Sequence, residues 1–172
     1  YIKDQLDSIA NQKRKADEVL IYDDGSNDGT IEFIENYINN NGLNNTWKLI
    51  VNEENKGWRR NFVEGIWASM GDLVFPCDQD DIWHEDKLET IEKIMTENPQ
   101  IQVLTTNVTN LYDNGDRKPS DNQDGKIVKI SWEKHIFRVD APGCVYCIRR
   151  ELVNKSKNYY RVEYAHDDYF WK

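Results

Sequence analysis

The feature that most constrains the fold is an alternation of short apolar runs with amphipathic stretches, repeated from residue 18 to residue 108. "EVLIY" (18–22) reads as a strand that ends at acidic and glycine residues. "GTIEFIENYINN" places Ile31, Ile34, Tyr37 and Ile38 at helical spacing, with Asn27 or Asp28 available as the N-cap. "WKLIVN" (47–52) is a second strand, and "WRRNFVEGIWASM" (58–70) a helix with Phe62, Ile66, Trp67 and Met70 inward. "DLVFPC" (72–77) is a third strand. In "HEDKLETIEKIMTENP" (84–99), Leu88, Ile91 and Ile94–Met95 form one apolar face and Pro99 stops the helix. "IQVLTTNV" (101–108) is a fourth strand.

This rhythm predicts an α/β fold, a mostly parallel sheet with helices on both faces. Ligands of such sheets bind at the carboxyl ends of the strands. Two acidic clusters, Asp23–Asp24 and Asp78–Asp80–Asp81, fall at such ends. Beyond residue 108 the rhythm loosens. "LYDNGDRKPSDNQDGK" (111–126) reads as an exposed loop or hairpin, "KIVKISWEKHIF" (126–137) mixes strand and helix cues, and "APGCVYCIRRELVNKS" reads as loop, strand, helix. The chain opens on "YIKDQLDSIANQ", an amphipathic helix, and is expected to lack its true N-terminus.

The net charge of −9 over 172 residues repels phosphate backbones, which argues against nucleic acid as a partner. Tight binding of a phosphorylated ligand then requires a metal ion or a local basic patch. No run approaches the roughly 18 apolar residues of a membrane span. Three cysteines, Cys77, Cys144 and Cys147, argue against a disulfide scaffold and suit a reducing compartment. Cys144 and Cys147 lie in an apolar strand-like run and read as buried structural thiols.

"DDGSNDGTIEFIE" (23–35) also has the letters of a calcium loop, with Asp24, Ser26, Asp28, Gly29, Ile31 and Glu35 at the required positions. Such a loop needs a helix before it, whereas Glu18–Tyr22 is β-prone, and no second loop of this kind follows. "PCDQDDIW" (76–83) favours the strand-end alternative. Two carboxylates one residue apart at a strand tip point to one side and can hold a hard divalent cation, which suits a diphosphate.

In order along the chain, "VLIYDDGSNDGT", "NEENKGWRRNF", "GDLVFPCDQDDIWHEDKL", "APGCVYCIRREL" and "HDDYFWK" resemble the motifs of family 2 glycosyltransferases of the GT-A fold, in the bacterial rhamnosyltransferase-like branch. The resemblance covers nearly the whole chain, but the family's usual first strand is lacking and the chain stops five residues past Asp167. It implies a single GT-A domain, with residues 1–108 binding a nucleotide sugar and 109–172 binding the acceptor. Asp23 and Asp24 would contact base and ribose, and Asn55, Gly57 and Arg60 would border the nucleotide pocket. Asp78 would approach the ribose or sugar, Asp80 would be the main ligand of Mn²⁺ or Mg²⁺, and Asp81 would touch the donor sugar or the metal shell. Asp167 would be the general base, with His166, Trp83 and Gly143 on the acceptor side. The implied reaction is inverting transfer from a UDP- or dTDP-sugar to a carbohydrate or glycolipid acceptor, in cell-surface polysaccharide or glycan synthesis. The implied location is the cytoplasm, at the inner face of the membrane. A sugar-phosphate nucleotidyltransferase and a calcium-binding module are the competing readings. Trp83 reads equally well as a core anchor. Arg149–Arg150 read as solvated charges, and His84 and His135 as surface or helix-cap residues.

Overall fold

A computed structural model of the chain describes residues 1–119 and 142–161. The expectations for 126–137, His135, His166 and Asp167 lie outside the described residues.

The elements follow the predicted order. Helix α1 (Ile2–Ala10) precedes β1 (Val19–Asp23), α2 (Thr30–Asn40), β2 (Trp47–Val51), α3 (Trp58–Ala68), β3 (Leu73–Val74), α4 (Lys87–Glu97) and β4 (Val103–Thr105). Residues 109–119 are a hairpin of β5 (Thr109–Leu111) and β6 (Arg117–Pro119), one of the two forms expected there. A 3₁₀ turn (Gly143–Val145), β7 (Tyr146–Arg149), α5 (Arg150–Ser156) and a second 3₁₀ turn (Lys157–Tyr159) close the described chain.

β1 and β2 pair in parallel, with Val19 opposite Trp47 and Asp23 opposite Val51. β7 lies between β3 and β4 and is antiparallel to both. The late strand therefore makes both pairs of the second sheet antiparallel, where the alternation alone predicted mostly parallel pairing. Tyr146, Cys147 and Ile148 of β7 are fully buried because both faces of the strand are covered. Tyr146 and Ile148 pack with Val63 and Ile66 of α3 and Val153 of α5, while Cys147 packs with Ile91 and Met95 of α4. On the other sheet, α1 and α2 bury Leu6, Ile9, Ile34 and Ile38 with Trp47 against Val19, Ile21 and Leu49. From the opposite face, α3 brings Gly65 against the Tyr22 ring; a Cβ there would stand 3.2 Å from Tyr22 Cδ2.

Among the described residues no strand joins β1 to β3. A cavity of about 970 Å³ separates them, lined by Val19–Asp24 on one side and Leu73–Cys77 on the other. β3 is short: among the described residues only one of its edges is paired, and Pro76 has no N–H to offer a ladder.

Two local expectations change. The cap of α2 falls on Gly29 at φ +92°, and Asp28 serves the first turn from one residue earlier, its Oδ1 accepting from Thr30 N (3.1 Å) and Thr30 Oγ1 (2.7 Å). Met70 does not point inward. Helix α3 ends at Ala68, Ser69 turns extended, and Met70 is 76% exposed.

Candidate active site

The loop after β1 is built from its own carboxylates. Asp23, buried at the strand end, accepts from Gly25 N (2.9 Å) and Ser26 N (2.8 Å) through Oδ1, which sets the turn. Asp24 ties this loop to the one after β2. Its Oδ1 accepts from Asn52 Nδ2 and Lys56 N, and its Oδ2 from Gly57 N, all at 2.8 Å. Burial alone would raise the Asp24 carboxyl, but the Lys56 N–H, the Asn52 amide and the Gly57 N–H hold it below the usual carboxylate range. Asn55 adds a bond from Nδ2 to Asp24 O (2.9 Å), and its Oδ1 accepts from Gly57 N (3.0 Å). Gly57 starts α3 at φ +79°, a conformation that only glycine adopts without strain.

Two asparagines missed in the sequence complete this network. Asn52, buried at the end of β2, also donates to Asn61 Oδ1 (2.8 Å), and Asn61 Nδ2 donates to Tyr22 O (3.1 Å). Their signal was weak, because an isolated Asn at a strand end or in a helix is common. Asp24→Ala removes a charged acceptor of three hydrogen bonds and is expected to cost about 2 kcal/mol of stability at neutral pH. Because the folded Asp24 carboxyl is depressed, its contribution is present above the ordinary carboxylate value and is lost as pH falls through the folded value. The gap between wild type and variant in urea titrations should therefore shrink below about pH 4.

The same hydrogen bonds bear on the calcium alternative. Val19–Asp23 is strand where a calcium loop needs a helix, and the Asp24 and Asp28 carboxylates are engaged within the fold.

Arg60 does not line the cavity. Its Nε bonds Glu64 Oε1 at 2.6 Å, and its guanidinium lies 5.6 Å from the Trp67 ring centre and 5.4 Å from that of Tyr160.

The acidic loop after β3 turns rather than running extended. Asp81 N donates to Asp78 O (3.3 Å), so the carboxylates that converge are three residues apart, not two. Asp78, Asp81 and buried Cys144 bring one potential ligand atom each within 4.8 Å of one another, while Asp80 stands exposed in the same turn. The structure thus groups Asp78 with Asp81 rather than with Asp80. The pair offers hard oxygen donors, which suit Mg²⁺ or Mn²⁺. Burial, then the nearby Asp81 carboxylate, push the Cys144 thiol up, and soft sulfur suits such a hard ion poorly. Gly143 is buried directly before Cys144.

Behind the loop sits Lys87, also missed. It opens α4, against the preference of a helix N-terminus for acids, and its Nζ lies 4.1 Å over the Trp83 ring. Burial lowers the Lys87 ammonium, opposed in part by Asp81. Trp83 packs as a core anchor, 6.0 Å from the Phe75 ring centre and against the cluster that holds Leu6 and Ile9. His84 is exposed at the surface, its Nδ1 2.6 Å from Asp86 Oδ1.

Arg149 and Arg150 are not solvated charges. Arg149 donates to Ile101 O (2.9 Å) and Met95 O (3.0 Å), and Arg150 to Gly71 O (3.0 Å) and Ser69 Oγ (2.7 Å). They cap the carbonyl ends of α4 and α3, where cations are favoured. The thiols are as expected: Cys144 and Cys147 are buried and free, and burial pushes Cys77 and Cys147 each up to about 12.

The α/β architecture, with acidic loops at two strand ends, is that of the GT-A glycosyltransferase fold. The chain belongs to glycosyl transferase family 2, whose profile matches residues 1–159. It is 27% identical over 167 residues to the dTDP-rhamnosyl transferase RfbG of Shigella flexneri, covering 92% of this chain and 54% of that protein. It is 31% identical over 97 residues to the putative teichuronic acid biosynthesis glycosyltransferase TuaG of Bacillus subtilis, covering 56% and 37%. The mannosyltransferase PcManGT of Pyrobaculum calidifontis, solved with GDP-Man and Mn²⁺, superposes with a TM-score of 0.70 over 98% of this chain and 46% of that one, at 19% identity. The chain spans about half the length of the curated relatives it matches. No helix among the described residues is long and apolar enough to cross a membrane.

Proposed function

We propose that this chain is part of an inverting, metal-dependent glycosyltransferase that moves a sugar from a nucleotide-diphosphate donor to an acceptor hydroxyl. The observation that carries the reading is the convergence of the Asp78 and Asp81 carboxylates at the end of β3. Residues 1–108 form the nucleotide-sugar part and 109–172 the acceptor part. Asp23 and Asp24 shape the loop that meets base and ribose, with Asn55 and Gly57 as its far wall. Asp78 and Asp81 hold the cation, and Asp80 stands beside them on the open side of the turn. When bound, Mn²⁺ or Mg²⁺ neutralises charge on the departing diphosphate.

Inverting transfer also needs a base on the opposite face of the sugar. That role falls to Asp167, with His166 beside it, taking the proton of the acceptor hydroxyl. Asp167→Asn is expected to lower turnover by about 10²–10⁴-fold while donor affinity is kept. Loss of donor binding instead would remove Asp167 from the base role. The relative named as a dTDP-rhamnosyl transferase supports a dTDP-sugar donor, with a UDP-sugar as the alternative, and the one named for teichuronic acid biosynthesis supports a carbohydrate or glycolipid acceptor of the cell surface. The location proposed with this reading is the cytoplasm, at the inner face of the membrane.

The reading is tested by calorimetric titration of UDP, dTDP and GDP into the full-length protein, with and without Mn²⁺. Binding of one nucleotide that requires the metal is expected. Calcium binding with indifference to all three nucleotides would overturn the proposal.

A further inference from the structure

The acidic loop has little structure of its own. Between Asp78 and Leu88 its internal backbone hydrogen bonds are Asp81 N to Asp78 O and Lys87 N to His84 O. Its shape comes from α1. Gln5, Ser8 and Gln12 recur at steps of three and four, the spacing of one helix face, and Gln12 lies just past the helix end. Gln5 Nε2 donates to Asp78 O at 2.7 Å, and Ser8 Oγ accepts from Trp83 N at 3.0 Å. Gln12 Nε2 donates to His84 O at 2.7 Å, and its Oε1 accepts from Leu88 N at 3.1 Å. Gln12 is fully buried and Gln5 nearly so. A primary amide buried this far costs free energy unless its hydrogen bonds are met, and here they are met by loop backbone. Leu88 N is a first-turn donor with no partner inside α4, so Gln12 caps α4 from the residue beyond the C-cap of α1. All four of these bonds go to main-chain atoms, Gln5 Nε2 also reaching Cys77 Sγ at 3.3 Å, and they flank the turn that brings Asp78 and Asp81 together.

We propose that Gln5, Ser8 and Gln12 are positioning residues, a polar stripe on α1 that fixes the Asp78–Asp81 separation through the loop backbone and so sets the affinity for the cation–diphosphate pair. The effect on affinity rests on the function proposed above; the anchoring itself does not. Gln5 carries the most weight, because it holds the carbonyl of Asp78 itself.

The test uses Gln5→Met in the full-length protein, since methionine keeps the volume and removes the donor. Two quantities are read: amide hydrogen exchange of residues 78–84 without ligand, and Mn²⁺ affinity in the presence of nucleoside diphosphate by electron paramagnetic resonance. Exchange of 78–84 should rise with the rest of the chain unchanged. Mn²⁺ affinity should fall about tenfold or more, the usual cost of losing a partner that orients a ligand. Ser8→Ala should act in the same direction more weakly, through Trp83, and guards against a folding failure of the first variant. Unchanged exchange in both variants overturns the anchoring. Raised exchange with unchanged Mn²⁺ affinity overturns the positioning role. If wild type binds no Mn²⁺ with any nucleotide, the functional reading fails and exchange alone decides the anchoring.

Discussion

Asp81→Ala is expected to weaken Mn²⁺-dependent nucleotide binding by at least about 100-fold, while Asp80→Ala weakens it far less. Orienting partners already cost about 10–100-fold when removed, and a carboxylate that faces the ion should cost no less. The contrast between the two variants is the informative part. An extended backbone at 78–80 would send the Asp78 and Asp80 side chains to one side, and Asp80 would then be the ligand. The structure has a turn instead, closed by Asp81 N on Asp78 O, and the oxygens that meet are those of Asp78 and Asp81. Calorimetry on both variants in parallel separates the two geometries. If Asp80→Ala abolishes binding and Asp81→Ala leaves it intact, the turn is not the cation site.

The second large effect concerns stability. Ile148→Ala is expected to cost about 3 kcal/mol, within the range for a fully buried isoleucine. Ile148 has no exposure and sits on the central strand opposite both Val74 of β3 and Val103 of β4, with its side chain among Val63, Ile66 and Val153. Its truncation leaves a cavity where two strand pairs and two helices meet, and none of these can collapse into it without moving the others. For a domain of this length the midpoint of thermal unfolding should fall by about 6–12 °C. Leu111→Ala in the β5–β6 hairpin is the control. Leu111 is 53% exposed, so a change within about 0.5 kcal/mol is expected. Equal effects at the two positions would mean that β7 is not the centre of this core.

The network around Asp24 and the stripe on α1 follow one pattern. In both, a polar side chain fixes a loop at a strand end by binding its backbone: Asp24 takes Lys56 N and Gly57 N, and Gln5 gives to Asp78 O. Neither loop has regular structure, so each takes its shape from the element behind it. Substitutions in these supports should change ligand affinity without any contact with the ligand.

The sequence by itself determined the order and kind of the elements from α1 to α4, because apolar spacing is a local property of the chain. Val19–Tyr22, an apolar run ending at acids and glycine, is a strand, and Leu88, Ile91 and Met95, at helical spacing, face a core together. It also placed two acidic clusters at strand ends, since the end of an apolar run is visible in the letters. What it left open was decided between distant residues. Whether Asp78 meets Asp80 or Asp81 depends on a turn shaped from α1, more than 70 residues away. That Arg149 and Arg150 close helix ends, rather than face water, depends on β7 lying between β3 and β4. Local spacing encodes which residues share a face; only tertiary packing sets which backbone carbonyl a buried side chain must satisfy.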